Sequence, residues 1–156
     1  MSLYLTVKWI HILSSVMMVG TGFGSAYFLF FVNRSRDIAT QAHVSQLVVR
    51  ADLWFTTPTI FIQPISGIIL ANLAGFPLSS GWIMWTFVLF FFTGACWLPV
   101  VWLQIKMAVI ANDCLIKGTA LPERYWIYAR RWEWLGYPAF AAMLLVFYLM
   151  VAKPPL

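Results

Sequence analysis

Long apolar runs separated by short polar breaks dominate the chain. They cover about residues 3–32, 53–74, 82–110 and 134–152. None alternates with period two, and each is long enough to cross the roughly 30 Å hydrocarbon core of a bilayer as a helix. Backbone groups in lipid must be satisfied within the segment, so continuous runs of this kind predict helices rather than a barrel. The breaks differ in character. NRSRDIATQAHVSQLVVRAD is charged and compatible with helix, so the second helix is expected to begin early, near Thr40. NLAGFPLSSG is short, uncharged and turn-rich. ANDCLIKGTALPERYWIYARR is long and basic and is broken between Gly118 and Pro122, so the third helix is expected to reach toward Lys117.

Within the runs, polar and small residues recur at helical spacing. At 100° per residue, His11, Ser14, Ser15, Met18, Thr21, Gly22 and Ser25 fall within a sector of about 100°. Trp9, Leu13, Val16 and Met17 fall opposite. The second span repeats the pattern with Asp52, Thr56, Thr59, Gln63, Ser66 and Gly67. In the third, Thr86, Thr93, Trp97 and Gln104 align. Three such stripes predict an all-α, integral membrane four-helix bundle with a partly polar interior. Ser, Thr and Gly on these stripes suit close helix packing and interhelical hydrogen bonds. The glycines of GTGFG read the same way. Pro58, Pro64 and Pro99 each free a carbonyl one turn earlier.

Composition agrees. Only 10% of the 156 residues are charged and 62% are hydrophobic, against about 25% charged in a soluble domain. One four-span domain over residues 1–156 is expected, with membrane lipid as its surroundings. The net charge of +5 is a matter of topology and not of nucleic acid. Eight of the ten basic residues lie around the first and third breaks, and the second break has none. By the positive-inside rule those breaks face the cytoplasm, helices extend into it, and both termini lie outside. Trp126, Trp132 and Trp134 read as an anchor at the cytoplasmic interface, with Trp82 and Trp85 at the other. A multi-pass protein of the bacterial inner membrane is expected. Cys96 and Cys114 are 18 positions apart on one helix, a rise of roughly 27 Å, too far to pair.

His11 is the residue that a packing stripe does not need. Ionisable groups inside spans are costly and point to function. Its imidazole is read in three ways: a metal or b-type haem ligand, a proton-transfer group, or a buried hydrogen-bonding residue. As a haem ligand it would sit between the first span and the aromatic-rich third, with Gly22 and Met18 on the same face. A further axial ligand would be Met84, Met150, Lys8 or the same histidine of a second copy across a two-fold axis. A homo-oligomer and a quinol or other redox partner belong to this reading. His43 reads as a solvated surface residue. Asp52 reads as the partner of Arg130 or Arg131 at the mouth of the second span, with a proton or substrate role as the sharper alternative. The contrasting reading is a non-catalytic membrane subunit or small-molecule carrier with a polar bundle interior. Protease, hydrolase and nucleotide-binding motifs are absent from the sequence.

VKWIHIL, ADLWFTTPTIFIQPISGIILANLAGFPL, GACWLPVVWLQIKM and YPAFAAMLLVFYLMVAKP together resemble a bacterial integral-membrane family catalogued as domain of unknown function 2269. The resemblance spans essentially the whole chain. It implies the membrane location and the fold, and no particular reaction. KWIH alone is similar to the first span of HemJ-type protoporphyrinogen oxidases and CopD-type copper-resistance proteins. That similarity implies b-type haem on His11, with Lys8 the other residue carried over. Lys106, nearest to the basic middle-helix residue of HemJ-type sites, belongs to the opposite side of the membrane.

Overall fold

The computed structural model describes residues 2–155. Helix α1 spans Leu3–Ser35 and α2 spans Ile38–Ala51. One π turn, Asp52–Thr56, joins α2 directly to α3, Thr57–Leu73. Helix α4 spans Gly81–Lys117 and α5 spans Glu123–Ala152. Taking α2 and α3 as one rod, four helices of 33, 36, 37 and 30 residues are long and apolar enough to cross a membrane. At 1.5 Å per residue they are about 45–55 Å long, well beyond the hydrocarbon thickness. The excess lies at the basic end. The chain is an all-α, multi-pass integral membrane bundle.

Local chemistry sets the ends. Ser2 caps α1, accepting from the Leu5 amide, and Asp37 caps α2, accepting from the Thr40 amide at 3.1 Å. The Thr40 hydroxyl donates to the same carboxylate. These bonds hold the exposed Asp37 carboxyl below its usual range. Helix α4 stops at Gly118, whose φ of 63° suits a residue without Cβ. Pro58 explains the π turn. It has no N–H to give the Trp54 carbonyl, and its ring would crowd that carbonyl in a regular helix. The wider turn relieves this, with Thr57 donating its amide and its hydroxyl to the Asp52 carbonyl.

The helices pack as two pairs. Helix α1 packs on α3, and α4 packs most extensively on α5. The pairs meet at the basic end, where α2 packs on α4. There Leu29, Val48, Met107, Tyr125 and Trp132 form the apolar core. The Tyr125 hydroxyl donates to Asn33 Oδ1 at 2.7 Å within it, and Arg34 pairs with Glu133 at 3.0 Å above it. At the opposite end Lys153 lies over the rings of Phe76 and Trp82, 4.7 and 5.8 Å from their centroids. Between these ties α1 scarcely meets α5, and α3 and α4 barely touch.

The stripes face inward. Ser14, Met18, Asp52, Thr56, Thr59, Gln63, Ser66, Thr86 and Gln104 are buried, while Trp9, Leu13 and Val16 are exposed. Two expectations are corrected. Trp132 is no interfacial anchor: it is 5% exposed and belongs to the core. Close packing does not account for GTGFG either. A Cβ on Gly20, Gly22 or Gly24 would meet nothing within 4 Å.

Candidate functional site

Two polar systems occupy the interior. The first is a seam between α1 and α3. Gln63 donates through Nε2 to the His11 carbonyl at 2.9 Å and to Ser14 Oγ at 2.6 Å. Ser14 Oγ in turn donates to the His11 carbonyl at 3.1 Å. The His11 ring reaches Ser66, with Nδ1 and Oγ 2.8 Å apart. Ser66 spends its one hydroxyl hydrogen on the Ile62 carbonyl at 2.6 Å. With that hydrogen on the carbonyl, Ser66 accepts from the Nδ1-protonated tautomer of His11, and Nε2 keeps its lone pair. Gly67 makes room for the ring: a Cβ there would lie 3.4 Å from His11 Cε1. The histidine thus faces the second span rather than the third, which corrects the expected position between the first and third spans.

The second system is a cavity of about 620 Å³ between the two helix pairs. Its walls are apolar and rich in aromatics, including Tyr27, Phe61, Phe90 and Phe91. Gly22 and Gly94 widen it, since neither carries a side chain into the open space. Phe23 stacks on Phe140 at 5.3 Å between centroids across the α1–α5 side, and both rings remain exposed. Phe61 and Phe91, each 65% exposed, flank the side between α3 and α4, where the two helices barely touch. The polar groups gather toward the basic end. Asp52 accepts from Thr56 Oγ1 at 2.9 Å, and the Gln104 side chain lies close to its carboxylate. Gln104 Oε1 and the indole nitrogens of Trp97 and Trp132 are buried and have no partner. All of these residues line the cavity.

The expected pairing of Asp52 with Arg130 or Arg131 is not formed. Both arginines are exposed, while Asp52 is 4% exposed and points inward. Among the described residues the only ion pair is Arg34–Glu133. Asp52 lies on the stripe with Thr56 and Thr59, as the helical spacing placed it, and that face turns inward, away from the two exposed arginines.

The candidate residues are not gathered in one place. Met18 and Gly22 line the cavity. His11 lies in the α1–α3 seam, outside the lining. Met84 is 55% exposed and also outside it. His43 is exposed. Among the described residues no three of His, Cys, Asp and Glu cluster as metal ligands. Within one chain, then, these residues do not surround a haem-sized space. Sequence reasoning missed Trp132 and the two ends of the Gln104 amide. The signal for Gln104 was its place on the third stripe; for Trp132 there was none, because a tryptophan beside two arginines has the composition of an interface.

Residues 5–154 match the family model described as "Predicted integral membrane protein (DUF2269)", and the chain belongs to that family. No curated protein and no solved structure matches it.

Proposed function

We propose that this member of the DUF2269 family holds an amphiphilic small molecule drawn from the bilayer, as a non-catalytic carrier or membrane subunit. The observation that carries this reading is the cavity: apolar walls, exposed phenylalanines flanking the sparse α3–α4 contact, and unpartnered polar atoms at one end. Ligand sites are commonly apolar spaces with a few convergent polar groups. The unpartnered Gln104 Oε1 and the Trp97 and Trp132 N–H groups support a ligand with a polar head, since leaving buried groups unpaired costs free energy that a ligand recovers. In this reading the basic end faces the cytoplasm of a bacterial inner membrane, and the head lies near that interface. The test is native mass spectrometry of protein released from membranes. Wild type and Gly20→Phe, which fills only the lipid-facing side of α1, retain a small-molecule adduct. Gly22→Phe, which fills the cavity, loses it. Equal retention in both variants overturns the reading.

A second reading keeps b-type haem on His11. What supports it is the Ser66 bond, which leaves Nε2 with a free lone pair in the manner of a metal-ligating histidine whose other nitrogen is held. Haem would then supply electron transfer, and the ring nitrogen would be this chain's contribution, held in orientation by Ser66. Absorption spectra of wild type and His11→Ala, purified with ample haem, test this. A Soret band lost in the variant supports it, and a colourless wild type excludes it.

A further inference from the structure

The charge of the cavity says more about its occupant. Asp52 is buried, lines the cavity and has no basic partner. Among the described residues no lysine, arginine or histidine lines the cavity. Anionic heads such as carboxylates or phosphates therefore find no counter-charge there. An acyl chain ending in an anion would place two negative groups together in a poorly solvated space.

Beside Asp52, the Gln104 side-chain amide lies close to the carboxylate. Its carbonyl oxygen is left with no donor, in a side chain only 3% exposed. A carboxylate and a bare amide oxygen side by side are two acceptors awaiting donors. The walls add aromatic faces, and Trp97 and Tyr27 are among them. Aromatic faces attract cations most strongly where water is scarce.

Resting on the amphiphile reading, we propose that the occupant is a lipophilic amine. Its ammonium N–H groups donate to the Asp52 carboxylate and to Gln104 Oε1, and its apolar body lies among the phenylalanines toward α3 and α4. An uncharged alcohol donates one hydrogen where an ammonium donates up to three. A charge-assisted hydrogen bond is worth about tenfold or more in affinity over a neutral one.

The experiment uses the full chain in nanodiscs of zwitterionic lipid, with empty nanodiscs as background. Saturable binding is measured for three radiolabelled probes with one tail: dodecylamine, dodecanol and dodecanoate. Wild type is expected to bind the amine about tenfold tighter than the alcohol and to show no saturable binding of dodecanoate. Asp52→Asn is expected to lose that preference while keeping its affinity for the alcohol, which also shows that the variant is folded. Asp52→Glu keeps the preference. An amine and an alcohol that bind equally well overturn the charge inference and leave the cavity reading standing. So does an Asp52→Asn variant that still prefers the amine. If no probe binds saturably, and Gly22→Phe behaves as wild type, the cavity reading itself fails and this inference falls with it.

Discussion

Replacing Gln63 with leucine removes one side of the α1–α3 seam while keeping about the same volume. Two hydrogen bonds are lost, to the His11 carbonyl and to Ser14 Oγ. Neither acceptor is orphaned. Ser14 still donates to the His11 carbonyl, and that carbonyl keeps its own helical bond. No penalty for a bare polar group is therefore added. Interhelical hydrogen bonds in membranes average about 0.6 kcal/mol, so the loss should be about 1.2 kcal/mol. That is roughly an eightfold fall in the folded-to-unfolded ratio. The assay is equilibrium unfolding by SDS titration in mixed micelles, read by far-UV circular dichroism. A change below about 0.3 kcal/mol would mean that the seam contributes nothing in a lipid-like solvent. A loss above about 3 kcal/mol would mean that Gln63 supports more than these two bonds.

Arg34 and Glu133 form a two-toothed pair at the surface, so a double-mutant cycle with Arg34→Ala and Glu133→Ala should give a coupling of about 0.5 kcal/mol. That coupling should shrink as salt is raised; one that ignores salt would place the pair out of water's reach. In a background with Cys96 and Cys114 replaced by serine, Thr119→Cys should label from the cytoplasm and Pro77→Cys only from outside, and the reverse would invert the proposed topology. Asp37 has its carboxyl held below the ordinary range by Thr40, so its cap contributes fully above the unfolded value of about 3.9 and is lost as pH falls through the lower folded value. Hydrogen exchange at the Thr40 amide should therefore stay slow down to about pH 4 and quicken only below it, a dependence that Asp37→Asn abolishes.

Much of this architecture was legible in the chain because membranes leave few options. Four apolar runs without period-two alternation gave four helices. The small and polar stripes gave their inward faces, from Ser14 through Gln63 and Ser66 to Gln104. The early start of the second span and the reach of the third to Lys117 were legible too, since charged but periodic segments continue a helix beyond lipid. What the stripes do not encode is which one faces which. His11 meets Ser66 and Gly67, and only three-dimensional pairing decides that the second span covers it. Asp52 was legible on its stripe with Thr56 and Thr59, but the spacing does not say that this face closes on the space between the helix pairs rather than on Arg130 and Arg131. Nor does GTGFG announce that its glycines border open space, because glycine serves both close packing and a cavity wall.

The central claim is that the space between the helix pairs takes a ligand from the bilayer. Methionine methyl NMR tests it within the intact protein, because the seven methionines sample cavity and lipid separately. Met18 and Met143 line the cavity, whereas Met84 is exposed on the outer surface of α4. With methyl-labelled protein in nanodiscs, signals assigned by Met→Leu substitution are followed as a dodecylamine with a doxyl group on its tail is added. The account predicts that Met18 and Met143 broaden first and saturate near one equivalent, while Met84 broadens only in proportion to the label in the lipid. Broadening of all three in that same proportion, with no saturable part, would contradict it.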